Sequence, residues 1–368
     1  MDERATAAVR AHLEALVADG TQLGLQVAAY LHGELVVDVW AGIADRATGR
    51  PVDGDTLFTV WSAGKGLVAT CVHLLAERGR LEYDAPVARY WPAFGARGKD
   101  RVTVRDALTH RAGVPQLPPG ATAAALADWD GMCAAIADQA PLWAPGTQTG
   151  YHAYTFGWIL GEVVRRIDGR PIGAFLQEEV CAPLGLRDLY FGLPDALAPR
   201  AAAMELSREQ REAPRAAPDA LLERAFPYDL RDQFNRPELR RAAIPGAGGI
   251  ATARALARHY AALVGDGVDG VRLLPPDRVR TATVLQTDAR DVVLDGTPRK
   301  ALGYWLGGAP DAIFGTRRSA FGHAGYGGAQ GFADPEVGLA VGVTKATIGA
   351  VPMLPVVQRL RDVLGLPY

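Results

Sequence analysis

The chain has 368 residues, 49% hydrophobic and 22% charged, enough to bury one large core or two smaller ones. A net charge of −2 excludes a global field that would recruit nucleic acid or an anionic membrane. Cys71, Cys133 and Cys181 are widely spaced and form no CxxC or Cys/His cluster, so reduced, mostly buried thiols and no structural metal are expected.

The opening segment sets Leu13, Leu16 and Val17 at helical spacing among Asp, Glu and Arg. It has no apolar h-region or small-residue cleavage site, so no signal peptide is expected, and no run approaches ~18 apolar residues. The expected location is cytoplasmic. Residues 25–45 read as strand, turn and strand about His32-Gly33, with β-branched and aromatic residues in both arms. The Ala/Leu-rich run from Gly66 to Arg78 predicts a helix ended by Gly79. From 85 to about 190 the pattern is mostly helical, most clearly at 156–167. Residues 195–245 turn to Pro, Arg and Ala with weak periodicity, a surface excursion that could cover a cleft. A helix over 252–264, strands at 303–308 and 338–346 and a closing helix at 351–364 complete the chain.

Strands at both ends with helices between them predict an α+β fold: an antiparallel sheet of N- and C-terminal segments, flanked by helices, with an inserted mainly helical domain. The expected domains are 1–84 with 260–368 for the sheet, and 85–259 for the helical part, excursion included.

The sharpest local feature is Trp61-Ser62-Ala63-Gly64-Lys65, entering the first long helix after the hairpin. A Ser and a Lys three apart share one helix face. There an amine of lowered pKa can take the hydroxyl proton, and the helix N-terminus can stabilise an oxyanion. Taken alone, the tetrapeptide also suits an N-cap serine followed by a solvated lysine. The chain has only three serines, Ser62, Ser207 and Ser319, so placing one at a strand-to-helix junction favours the chemical reading. Tyr151, after Pro145-Gly-Thr147 and just before a helix, can reach into a cleft and shuttle protons if a cationic lysine lies near; an ordinary half-buried tyrosine is the alternative. The glycine-dense run His323-Ala324-Gly325-Tyr326-Gly327-Gly328 suggests close backbone approach or a plain hairpin. His110 reads as architectural, and Glu77, Asp84 and Asp106 as solvated or capping carboxylates.

FTVWSAGKGL, LLAERGRLEYDAPVARYWPAF, VTVRDALTHRAGV, PGTQTGYHAYTFGWILGEVVRRIDGRP, APLGLRDLYFGLP, IPGAGGIATARALARHY and FGHAGYGGAQGFADPEVGLAVG occur in this order. Together they resemble the β-lactamase-related serine hydrolases, which include class C β-lactamases, D-amino-acid peptidases, family VIII carboxylesterases and acyltransferases. The resemblance implies Ser62 as the acylated nucleophile, Lys65 as its activator and Tyr151 as a proton relay. It implies an oxyanion hole of the Ser62 and Tyr326 N–H groups, with His323, Ala324 and Gly325 in the position of a Lys-Thr-Gly triplet beside the cleft. His152 and Trp61 are further candidate substrate contacts, and no cofactor or metal is implied.

Two departures bear on substrate. Ala153 stands where β-lactamases have an asparagine, and His323 where they have a lysine. Both resemble the esterase and acyltransferase branches. The expected function is therefore a carboxylesterase acting on small neutral esters. The alternative is a transacylase passing the acyl group to an alcohol or amine, and third comes a β-lactamase or D-amino-acid peptidase. A non-catalytic scaffold of the same fold is disfavoured because Ser62, Lys65 and Tyr151 are all present.

Overall fold

The computed structural model describes residues 1–214, 217, 219–308, 314–349 and 353–368. Helix α1 (Glu3–Ala18) is capped by Asp2 and buries Ala5, Val9 and Leu13. Strands β1 (Gly24–Leu31) and β2 (Glu34–Asp45) form the predicted hairpin, turning at His32 and Gly33, both left-handed with φ of 49° and 83°. This matches the right-handed twist of the paired strands.

The short strand β3 (Arg50–Pro51) pairs with β2, and β4 (Phe58–Trp61) leads into α2 (Gly64–Glu77). Next come β5 (Leu189–Phe191), β6 (Glu205–Leu206) and β7 (Gly249–Ala251). The C-terminal strands are β8 (Trp305–Leu306), β9 (Phe321–Ala324), β10 (Gln330–Asp334), β11 (Leu339–Lys345) and β12 (Thr347–Ile348), the last paired with β6.

The main sheet is antiparallel, in the order β3-β2-β1-β11-β10-β9-β8. Its two halves come from opposite ends of the chain and join along β1 and β11, from Leu25 opposite Lys345 to Leu31 opposite Leu339. Alternation sends Leu25, Val27 and Ala29 to one face, against α1 and the closing helix Leu354–Val363. Ala28 and Tyr30 face the other side, where the helix Ala253–Ala261 packs. The fold is thus α+β, with the inserted region mainly helical. Positions 351 and 352 of the expected closing helix lie outside the described residues.

The helix Ala253–Ala261 lies on β1, β10 and β11 and straddles the expected domain border at 259/260. A second sheet, β4-β7-β5, was not foreseen. Its strands are three or four residues long and pair across about 60 to 190 positions, leaving no local pattern to detect. Among the described residues, no helix is long and apolar enough to cross a membrane. The three cysteines are buried and unpaired.

Candidate active site

Ser62 sits in the turn between β4 and α2. Trp61, just before it, is left-handed at φ 52°, a conformation a bulky residue holds only when its surroundings over-determine it. Its buried ring packs on Phe234 (4.7 Å between centroids), Tyr326 (5.6 Å) and Phe226 (6.4 Å). Trp61 therefore fixes the turn from beneath and does not line the cleft.

One helical turn on, Lys65 Nζ lies 2.8 Å from Ser62 Oγ, 2.7 Å from the Ala153 carbonyl and 2.6 Å from the Gly246 carbonyl. The side chain is fully buried, and burial alone pushes its pKa well below the ordinary lysine value. No carboxylate among the described residues opposes that shift, so burial eases the loss of a proton from the amine. Ala153 precedes the helix Thr155–Asp168. Gly246 is pressed against that helix so closely that a Cβ on it would lie 2.5 Å from the Tyr154 carbonyl. The helix thereby holds both carbonyls that orient the amine.

Tyr151 stands beside both Ser62 and Lys65. Lys65 Nζ is 4.7 Å from its ring centroid. Burial raises the phenol's pKa, Ser62 partly offsets the rise by hydrogen bonding, and the charge of Asp291 adds to it. The two environments move the amine and the phenol in opposite senses beside one hydroxyl.

Ala324, Gly325 and Tyr326 line the cleft at the end of β9. Gly325 admits no larger residue without displacement, because a Cβ there would lie 2.2 Å from the Val60 carbonyl and 2.9 Å from Trp61 Cβ. This contact sets the Tyr326 turn beside Ser62. The N–H groups of Ser62 and Tyr326 make no bond to another backbone group among the described residues, which leaves both available to an oxyanion. Gly325→Ala should push the two turns apart, and kcat/KM should fall by about 10²-fold, comparable to losing one oxyanion donor. Steady-state kinetics on protein with an unchanged circular dichroism spectrum checks this.

The histidines are placed differently from the cleft contacts expected of them. His152 is buried, with Nδ1 2.6 Å from the Gly150 carbonyl and Nε2 accepting from Val114 N at 3.1 Å. It braces the Tyr151 loop and is absent from the cleft wall, because backbone groups occupy both ring nitrogens. His323 is also buried behind the wall, between Trp305 (4.8 Å) and Tyr151 (6.2 Å), with Nδ1 2.8 Å from its own strand's Ala324 carbonyl. Burial first, then the charge of Lys65, holds its pKa well below the usual range, so it presents a neutral ring. His110 accepts the His152 N–H at 3.1 Å, an architectural task. Asp106 forms a capping box with Thr103, while Asp84 and Glu77 pair with Arg105 and Arg278.

The cleft, about 380 Å³, is walled by Leu222, Phe226, Leu294, Trp305 and Tyr326, with Arg231 its one charged lining residue among those described. Arg231 is committed to the Phe226 carbonyl (2.6 Å) and to Glu223 (3.3 Å). Leu222, Phe226 and Arg231 all come from the 195–245 excursion, which therefore contributes a wall. The aromatic residues within that Pro/Arg-rich stretch were the available signal. Gly246, Leu294 and Trp305 carried no signal of a role.

The sequence profile described as Beta-lactamase matches residues 9–349. The chain belongs to this family. It is 40% identical over 332 residues to "Esterase/beta-lactamase LipL" of Mycobacterium tuberculosis, covering 86% of this chain and 75% of that protein. A solved structure described as a family VIII carboxylesterase superposes with a TM-score of 0.90 at 34% identity, covering 99% of this chain and 98% of the other. A penicillin-binding-protein homologue from Caulobacter crescentus gives 0.89 at 38% identity, covering 99% and 97%. At the level of class, this member of the beta-lactamase family is a serine hydrolase.

Proposed function

We propose that this family member is a carboxylesterase acting on small neutral esters through an acyl-enzyme on Ser62. The observation that carries the proposal is the fully buried Lys65 amine 2.8 Å from the Ser62 hydroxyl, with the buried Tyr151 phenol beside them. Lys65 takes the hydroxyl proton as Ser62 Oγ bonds to the ester carbonyl carbon. The Ser62 and Tyr326 N–H groups receive the oxyanion, and Tyr151 donates its proton to the departing alkoxide. The proton on Lys65 then restores Tyr151. In the second half a water replaces the alcohol, and the same groups return the acid and free Ser62.

The cleft supports neutral substrates. His323 is an uncharged ring behind the wall, Ala153 offers no side-chain amide, and Arg231 is already paired. A β-lactam carboxylate would find no free cation among the described lining residues, and such a group favours a charged partner. The measurement is kcat/KM for p-nitrophenyl butyrate against nitrocefin at pH 7.5. The ester is expected to be faster by about 10²-fold or more, the worth of about 3 kcal/mol of unmade contacts. A nitrocefin value equal to the ester's would return the chain to the β-lactamases.

A second reading, acyl transfer, is favoured by the apolar lining that Leu222 and Phe226 give the cleft, because a drier site favours a bound acceptor over water. Adding an alcohol during ester turnover separates the two. Hydrolysis predicts free acid as the main product, and transfer predicts the new ester.

A further inference from the structure

The segment 286–305 carries an arrangement whose role in the site goes beyond the field of Asp291 on the Tyr151 phenol. Asp291 and Lys300 are fully buried and in direct contact. Asp291 Oδ1 accepts from three backbone N–H groups: Tyr151 at 3.0 Å, Val293 at 2.9 Å and Leu294 at 2.9 Å. Its other oxygen faces Lys300, whose Nζ also donates to Thr149 Oγ1 at 2.7 Å. Thr149 Oγ1 donates in turn to the Thr109 carbonyl at 3.1 Å, and Val292 N to the Thr149 carbonyl at 3.0 Å. Lys300 pairs in register with Trp305, whose ring lies 5.6 Å from that of Tyr151.

A buried ion pair gives little net stability compared with apolar residues of the same shape. The distinctive property of this one is what it holds. One carboxylate oxygen ties the backbone of Tyr151 to the loop that presents Leu294 to the cleft. We infer that Asp291 and Lys300 are a positioning pair for Tyr151: the carboxylate oxygen sets the tyrosine backbone and the Leu294 wall together, and the ammonium balances the charge that burial would otherwise leave alone.

The inference rests on Tyr151 being the proton donor, and its test separates the two claims. Two charge-free double variants differ only in the acceptor. Asp291→Asn/Lys300→Met keeps an oxygen for the three N–H groups, and Asp291→Leu/Lys300→Met removes it. The first should hold kcat for p-nitrophenyl butyrate within about threefold of wild type. The second should lose at least ~10-fold in kcat with KM within about twofold, as misplacing a catalytic group does. Rates are expressed per folded molecule from the amplitude of thermal unfolding. Should the leucine variant not fold, Asp291→Glu keeps the charge pair but moves the acceptor by one methylene, and the same loss in kcat at unchanged KM is expected. Equal kcat in the two doubles, or a loss confined to KM, overturns the inference. With Tyr151→Phe in the same series, a dead tyrosine variant beside an unimpaired leucine double overturns the positioning alone. A fully active Tyr151→Phe overturns both claims.

Discussion

Ser62→Ala is expected to lower kcat for p-nitrophenyl esters by ~10⁴-fold or more, the scale on which serine enzymes lose their nucleophile. The fold should survive. The hydroxyl contributes one partner to Lys65 Nζ, which keeps the Ala153 and Gly246 carbonyls, so the stability change should stay near 1 kcal/mol. The measurement is paired: turnover, and intact-protein mass after brief exposure to the ester. Wild type should gain one acyl group and Ser62→Ala none. An acylated alanine variant, or one retaining more than a few per cent of the rate, would place the nucleophile elsewhere.

The next largest effect is expected from Lys65 and Tyr151 as a unit. Lys65→Met and Tyr151→Phe should each cost ~10³-fold or more in kcat. The double variant should be no more than about tenfold worse than the poorer single, because each removes the same proton path. Additive losses would mean two independent roles.

Lys65 also links activity to stability. Its folded pKa lies well below the ordinary lysine value because of burial, so between the folded and the unfolded value the unfolded chain binds a proton that the folded one does not. Stability therefore rises with pH until the unfolded lysine titrates near ~10.4. Lys65→Met has no such term. The melting temperature of wild type relative to Lys65→Met should become more favourable between pH 7 and pH 10. A constant difference would mean that the amine stays protonated in the folded protein, and would remove it as the base.

Much of this was legible in the order of residues. The β1–β2 hairpin follows from β-branched and aromatic arms about His32-Gly33, the helix Gly64–Glu77 from its Ala/Leu-rich run ended by the left-handed Gly79, and the helix Thr155–Asp168 from the helical pattern at 156–167. Ser62 and Lys65 share a helix face because three residues make almost one turn, a local relation that sequence states directly. The resemblance in motif order supplied the family, the fold and the candidacy of Tyr151.

What only the tertiary structure decided are relations between distant segments. The carbonyls that hold Lys65 come from residues 153 and 246, 88 and 181 positions away, and a carbonyl carries no side-chain identity to read. His152 and His323 looked like cleft contacts by their neighbours in sequence. Folding placed them behind the wall, where burial keeps them neutral and backbone or ring contacts surround them. Asp291 and Lys300 stand in a stretch without periodicity, and nothing local distinguishes them from solvated charges. Their burial comes from the loop that closes over Tyr151, since a charge leaves water only where an opposite charge and backbone N–H groups from elsewhere in the chain await it.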